Sequence, residues 1–244
     1  YLMNLAKKLK SEIIHHNNYI GGRYSVLSEV GIIPAELMGL NTNKFRRLNF
    51  LIKNKNFLNS LILNVSNTLT LLKRKKTNSI ILNYDESSSD LFFWYQQLIA
   101  ESLGKKSKGI LPIISNMPKD NHSLMQLYLD GFKNNFYTFF FVKENLSSKI
   151  NNKHLLKSFG YLKNKKINDI KMAQFKATEK IFQRKNIPFR SFVLNKRNEE
   201  SLGELFVFFI LETILLGKAI NVNPYDQPAV ELIKTETKKI LNNY

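Results

Sequence analysis

Phe136-Tyr137-Thr138-Phe139-Phe140-Phe141-Val142 is apolar at both sets of alternating positions. A strand sends successive side chains to opposite faces, so this run fits a strand covered on both sides, as in the centre of a parallel sheet. Outward from it the chain alternates between two patterns. Short β-like runs at residues 79–83, 109–114 and 189–194 are separated by helical patterns at 90–103, 121–130, 169–185 and 201–218. Strands alternating with helices of this length predict βαβ units and an α/β fold, three layers deep, with a mostly parallel sheet.

Farther upstream the spacing of Leu2, Leu5, Ala6 and Leu9 predicts an opening helix, and Ile13-Ile14 a short edge strand. Residues 25–40 read as helical but divided by Gly31 and Pro34, and two basic amphipathic segments follow at 43–52 and 57–72. Downstream, Asp226 and Pro228 are starting signals for a last helix over residues 227–241. The expected organisation is the tail of a preceding domain in residues 1–70, an α/β domain over 71–218, and a C-terminal segment, 219–244, that packs back. The chain begins at Tyr1 and not at Met, and is expected to be a piece of a longer protein.

Composition narrows the chemistry. A hydrophobic fraction of 43% with 12% aromatics over 244 residues suits a globular protein and not a disordered one. With no cysteine there is no disulfide framework and no thiolate metal site, and a cytoplasmic setting is expected. The four histidines, His15, His16, His122 and His154, have no ligand-type spacing, so no metal is expected. The formal charge of +18 would suit a nucleic acid or an anionic membrane. Its distribution argues against both: the densest runs, 73–76 and 163–166, are not interleaved with the aromatics that single-strand binders stack on bases. The longest apolar run, 205–216, carries Glu212 and is too short to span a bilayer.

Four constellations could carry chemistry. In Gln97-Leu98-Ile99-Ala100-Glu101-Ser102-Leu103-Gly104-Lys105, Glu101 falls in the last helical turn, where the macrodipole disfavours the ionised form of a carboxylate. Gln97 lies four residues earlier on the same face, and Gly104 is expected to end the helix in a left-handed conformation. A carboxylate so placed beside an uncharged amide suits proton abstraction near neutral pH, although a solvated helix-end glutamate has the same sequence. In Gly21-Gly22-Arg23-Tyr24-Ser25 the glycines allow close backbone approach to a ligand, and Arg23 presents a planar cation able to stabilise an oxyanion; the bland counterpart is a surface turn. In Lys119-Asp120-Asn121-His122-Ser123, His122 is expected in the first turn of a helix, where the dipole favours the neutral imidazole. Finally, Gln227 and Lys234 are two helical turns apart, so they are expected on one face, whether around a sugar phosphate or in solvent.

Taken together and in this order, these segments resemble the glucose-6-phosphate isomerase (phosphoglucose isomerase) family. I-G-G-R-Y-S-V-L-S and N-P-Y-D-Q-P-A-V-E-L-I-K look like its two signatures; Q-Q-L-I-A-E-S-L-G-K and K-D-N-H-S-L-M-Q-L-Y-L-D-G resemble the segments holding its catalytic glutamate and histidine. The resemblance implies interconversion of glucose 6-phosphate and fructose 6-phosphate through an enediol(ate), in glycolysis and gluconeogenesis, with no cofactor and no metal. Glu101 would be the base, Arg23 the group stabilising the intermediate, His122 and Lys234 the groups acting on the ring oxygen, and Gln97, Gln227 and Gly22 the substrate-binding positions. It also implies two sugar-isomerase-type (SIS) domains and a homodimer in which His122 serves the partner's site. Ala229 stands where the family usually has glycine, and the family's Ser-Lys-Ser/Thr-Gly phosphate loop occurs nowhere in the sequence. Within the same resemblance, a dual phosphoglucose/phosphomannose isomerase or a non-catalytic sugar-phosphate-binding module are the alternatives.

Overall fold

The computed structural model describes residues 2–144 and 147–243. In chain order the helices and strands are α1 (Leu2–Lys8), α2 (Glu29–Leu37), α3 (Thr42–Phe45), α4 (Leu48–Leu51), α5 (Lys55–Lys73), β1 (Asn78–Asn83), α6 (Ser89–Leu103), β2 (Leu111–Asn116), α7 (Asp120–Ser123), α8 (Met125–Asp130), β3 (Asn135–Val142), α9 (Ile167–Arg184), β4 (Phe189–Leu194), α10 (Glu199–Ala219) and α11 (Pro228–Leu241). Tyr1 and Tyr244, at the outer ends of the two flanking segments expected from the sequence, lie outside the described residues. The four strands form one sheet in the order β2-β1-β3-β4, and every pairing is parallel. This confirms the α/β expectation.

The apolar run of β3 explains why the sheet has two covered faces. Its even positions, Phe136, Phe140 and Val142, join Ile81 of β1 in a core built with α5, α6 and α10. Its odd positions, Tyr137, Phe139 and Phe141, join Ile80 and Leu82 in a second core with Tyr128 of α8 and Phe175 and Phe182 of α9. All eight residues of β3 are buried. Period-two alternation with apolar groups on both sides therefore gives three layers, since each face needs its own cover of helices.

One polar cluster crosses the first core. Arg190 of β4 donates to Glu212 of α10, to Asn64 Oδ1 of α5 at 2.8 Å, to Tyr95 Oη of α6 at 2.9 Å and to Thr138 Oγ1 of β3 at 2.9 Å. Glu212, whose side chain is only 2% exposed, also accepts from Asn64 Nδ2 at 2.6 Å and Tyr95 Oη at 3.2 Å. Burial works against the Arg190 charge, and the Glu212 carboxylate and Tyr95 together more than offset it, so the guanidinium pKa is raised.

Several local expectations are corrected. Residues 13–14 form no strand, and the edges of the sheet are β2 and β4. The helix expected over 121–130 is two pieces, α7 and α8, broken at Leu124 with φ −123°. Residues 25–40 split into a 3₁₀ turn at Gly22–Leu27 and α2, which retains Pro34 inside it. The segment 43–52 is likewise two single turns, α3 and α4.

In an open α/β sheet ligands commonly lie outside the strands' carboxyl ends, where the winding reverses, here between β1 and β3. In this chain an ion-pair cluster occupies that place. Arg197 spans Asp85 beyond β1 at 2.6 Å and Glu144 beyond β3 at 3.8 Å. The candidate site lies instead at the end of α6, the helix that runs back from β1 to the start of β2. That is the amino-terminal end of the strands.

Candidate active site

Helix α6 supplies one wall. Leu91, Tyr95, Leu98, Ile99, Ser102 and Leu103 are buried on its core side, which leaves Gln97 and Glu101 on the opposite side at i and i+4. Gln97 Nε2 donates to Glu101 Oε1 at 2.8 Å. Glu101 is in the last turn as expected, with 29% of its side chain exposed. Gly104 ends the helix, but at φ −76° and not in the left-handed region. Its requirement is space: a Cβ there would meet the Ala100 carbonyl oxygen at 2.6 Å.

Arg23 approaches from a segment 78 residues away in sequence. Its guanidinium is almost fully buried and uses all five N–H groups. Nε donates to Ser102 Oγ at 2.8 Å; Nη1 donates to Glu101 Oε2 at 3.2 Å and Gln227 Oε1 at 2.6 Å; Nη2 donates to the carbonyls of Pro224 at 2.8 Å and Asp226 at 3.1 Å. Its own backbone is pinned to the same helix, since Trp94 Nε1 donates to Arg23 O at 2.9 Å. Tyr24 Oη shares Ser102 Oγ at 2.9 Å, and the Arg23 guanidinium carbon sits 5.3 Å from the Tyr24 ring centroid. The orientation of Arg23 is thus fixed at each of its nitrogens, and its charge opposes the helix-end field around Glu101.

Gln227 does not lie on a helix face with Lys234, as the two-turn spacing predicts. Pro228 is the first residue of α11, and a residue preceding proline is driven out of the helical region; Gln227 has φ −149° and ψ 65°. Its side chain turns inward to Arg23, whereas Lys234 pairs with Glu231 at 2.7 Å on a fully exposed helix. Among the described residues Lys234 makes no contact with Glu101.

His122 is exposed in the last turn of the four-residue α7, so the argument from the dipole of a longer helix does not apply to it. Helix α7 follows β2, at the carboxyl ends of the strands. About 20 Å of strand therefore separates His122 from the Glu101 end of the sheet. Gly22 is exposed at the start of the 3₁₀ turn that carries Arg23, with open space around its Cα. Ser102, Tyr24, Lys105 and Asp226 also belong to the cluster and were not singled out from the sequence. The one available signal for Ser102 and Lys105 was their position beside Glu101 on the same helix end.

Next to the cluster opens a cavity of about 580 Å³ lined by Glu101, Lys105, Lys106, Asn223, Gln227 and Val230, among others. That volume is within the range of small-molecule sites. The Glu101 carboxylate and the Gln227 and Asn223 amides are at its wall, and the Arg23 guanidinium lies directly behind the first two, so the wall can remove a proton next to a fixed positive charge. No group of His, Cys, Asp or Glu able to hold a metal occurs among the described residues, and no described helix is long and apolar enough to cross a membrane.

The segment before Gly21 is held by His16. Nδ1 lies 3.0 Å from Glu29 Oε2 and Nε2 lies 3.1 Å from the Ile20 carbonyl. Both partners are acceptors, so both bonds together need the imidazolium. Hydrogen bonding to Glu29, then to the Ile20 carbonyl, raises the His16 pKa. A raised histidine contributes stability below its unfolded pKa and loses it as pH rises through the folded value. The expected result is that residues 16–20 loosen on passing from pH 6 to above neutrality; an NMR titration of His16 and of the Ile20–Gly22 amides measures it.

Known proteins share this geometry's sequence and fold, although no family model matches the chain. It is 36% identical over 251 residues to the glucose-6-phosphate isomerase of Methanocaldococcus jannaschii, a match covering 96% of this chain and 60% of that protein. It is 34% identical over 229 residues to that of Mycoplasmopsis pulmonis, covering 91% and 54% respectively. Among solved structures, a hypothetical protein from Thermus thermophilus superposes with a TM-score of 0.87 at 26% identity over 98% of this chain and 60% of that one. A glucose-6-phosphate isomerase from Chlamydia trachomatis has the same fold, with a TM-score of 0.75 at 18% identity, over 96% of this chain and 50% of that one. The chain thus spans about half to three-fifths of the length of the proteins it matches.

Proposed function

The chain belongs to the glucose-6-phosphate isomerase family, and on that premise we propose that Glu101, Arg23, Gln97 and Gln227 form the proton-transfer part of a site interconverting glucose 6-phosphate and fructose 6-phosphate. The observation that carries this reading is the meeting of Arg23 with both Glu101 and Gln227 through a single Nη1, across 78 and 204 residues of sequence. Glu101 takes the proton from C2 of the aldose and returns it to C1, while the hydroxyl proton passes from O2 to O1, so that the carbonyl moves from C1 to C2. The carbonyl oxygen gains negative charge in the enediolate, and Arg23 stabilises it. The 3.2 Å contact of Arg23 with Glu101 Oε2 is the longest of its five and is the one substrate displaces, while Gln97 keeps the other carboxylate oxygen in place.

In the same proposal Lys234 acts on the ring oxygen once α11 turns over the cavity, and His122 does so in the site of a second copy. The placement of His122 at the opposite end of the sheet supports a homodimer with shared sites. Gly22 lets the substrate approach the backbone beside Arg23. Residues 1–70 are the end of a first SIS domain, 71–218 a second, and 219–244 the segment returning to the site, in a cytoplasmic enzyme without a cofactor that acts on hexose 6-phosphates and needs neither nucleic acid nor membrane.

The phosphate loop of the family is not in this sequence, so the 244-residue chain alone is expected to turn over little or nothing. A segment carrying the loop, supplied in cis or in trans, is expected to restore turnover. A coupled assay on fructose 6-phosphate with and without that segment tests this; no turnover in the completed protein contradicts the isomerase reading.

A further inference from the structure

Directly after the Glu101 helix, Lys105-Lys106-Ser107-Lys108 makes a two-residue hairpin. Lys105 N donates to Lys108 O at 3.1 Å and Lys108 N to Lys105 O at 2.9 Å, with Lys106 at φ 53° and Ser107 at φ 57°. Such corners favour Asn and Gly. Two other residues held there store strain, which persists only where the surroundings impose it. The surroundings here are the connection between α10 and α11. Lys108 Nζ donates to Ile220 O at 2.8 Å, and Lys105 Nζ donates to Asn223 O and to Ser102 O at 3.1 Å and pairs with Asp226 Oδ1 at 2.9 Å.

Lys105 is only 11% exposed in its side chain, and its three protons all have acceptors. One closes the carbonyl end of the Glu101 helix; two hold the turn leading to Gln227. From the other side Arg23 Nη2 grips the same turn at the Pro224 and Asp226 carbonyls. The turn is further closed by Asn223 Nδ2 donating to Asp226 Oδ2 at 3.0 Å and by Tyr225 N donating to Asn223 Oδ1 at 3.1 Å. Residues 223–226 are therefore clamped between two cations, an ammonium and a guanidinium.

We propose that Lys105 is a positioning residue of the site: it ties the end of the Glu101 helix to residues 223–226 and so sets where Gln227 and the Nη1 edge of Arg23 stand relative to Glu101. It touches no reacting atom and acts through the turn. The hydrogen bond from Lys105 holds the Asp226 carboxyl below the usual carboxylate range, as an engaged pair does. The clamp itself rests on geometry; that it serves catalysis rests on the isomerase reading.

The test uses the 244-residue chain labelled with ¹⁵N and three variants, Lys105→Met, Lys105→Arg and Asp226→Asn. Two signals are read: hydrogen exchange at Arg23 Nε–H and the side-chain amide pair of Gln227. In Lys105→Met the Arg23 exchange is expected to rise about tenfold, the effect of losing a charged hydrogen bond, and the Gln227 pair to move toward the position of a free amide. Lys105→Arg is expected to restore both, since a guanidinium reaches the same acceptors, and Asp226→Asn to fall between. Unchanged signals in Lys105→Met overturn the proposal, as does a failure of Lys105→Arg to restore them. Where Lys105→Met loses protection of the β1 and β3 amides and so fails to fold, Asp226→Asn decides, and unchanged signals in it overturn the proposal. No substrate enters these measurements, so loss of the isomerase reading in the coupled assay leaves their outcome untouched.

Discussion

Glu101→Gln is expected to lower turnover of fructose 6-phosphate by about 10²–10⁴-fold, the usual contribution of a general base, in the protein completed with a phosphate-binding segment. The amide has the shape of the carboxylate, and its one oxygen can keep the contact from Arg23 Nη1 while the Gln97 amide turns over so that its own oxygen accepts from the new NH2 in place of the bond that Gln97 Nε2 gives Glu101 Oε1. Arg23 therefore keeps its place, and what is lost is the capacity to take a proton. The loss should fall on kcat with KM little changed, because binding of the ground state does not use the base. Steady-state kinetics in the coupled assay separate the two constants. An unchanged kcat would remove Glu101 as the base.

Glu212→Leu is expected to destabilise the fold by about 3–5 kcal/mol, the effect of stranding one member of a buried ion pair. Without the carboxylate, Arg190 retains its charge, and Tyr95 and Asn64 lose a shared acceptor. The double variant Glu212→Leu/Arg190→Met should recover most of the loss, since two apolar groups of similar volume leave no uncompensated charge. Urea unfolding of the single and double variants measures the difference. Equal stability of Glu212→Leu and the parent chain would mean that the pair contributes nothing.

The two variants probe different parts of the chain that were unequally visible in the sequence. The sheet was legible because its signal is local. Phe136 to Val142 must satisfy two faces at once, and β1 and β4 begin or end within one residue of the expected positions. Helices α5, α6, α9 and α10 were legible for the same reason, since an amphipathic or buried stripe repeats along them. Shorter pieces were not. Nothing in residues 121–130 announces the break at Leu124, and Ile13-Ile14 carries strand propensity without a strand to pair with.

At the site, the sequence alone determined that Glu101 stands in the last turn of a helix with Gln97 four residues before it, because helical periodicity and the terminating Gly104 are local facts. It also determined, through Pro228, where α11 begins, and this leaves Gln227 one residue before the helix that carries Lys234. Only the tertiary structure decided that Arg23 spends its five N–H groups on Ser102, Glu101, Gln227 and two carbonyls, and that Lys105 holds the turn that brings Gln227 there. Likewise only the tertiary structure put His122 at the far end of the sheet from Glu101. Periodicity reports which face of an element is buried; which distant segment meets that face depends on how strands and helices stack, and that is set by the packing of two cores on one sheet.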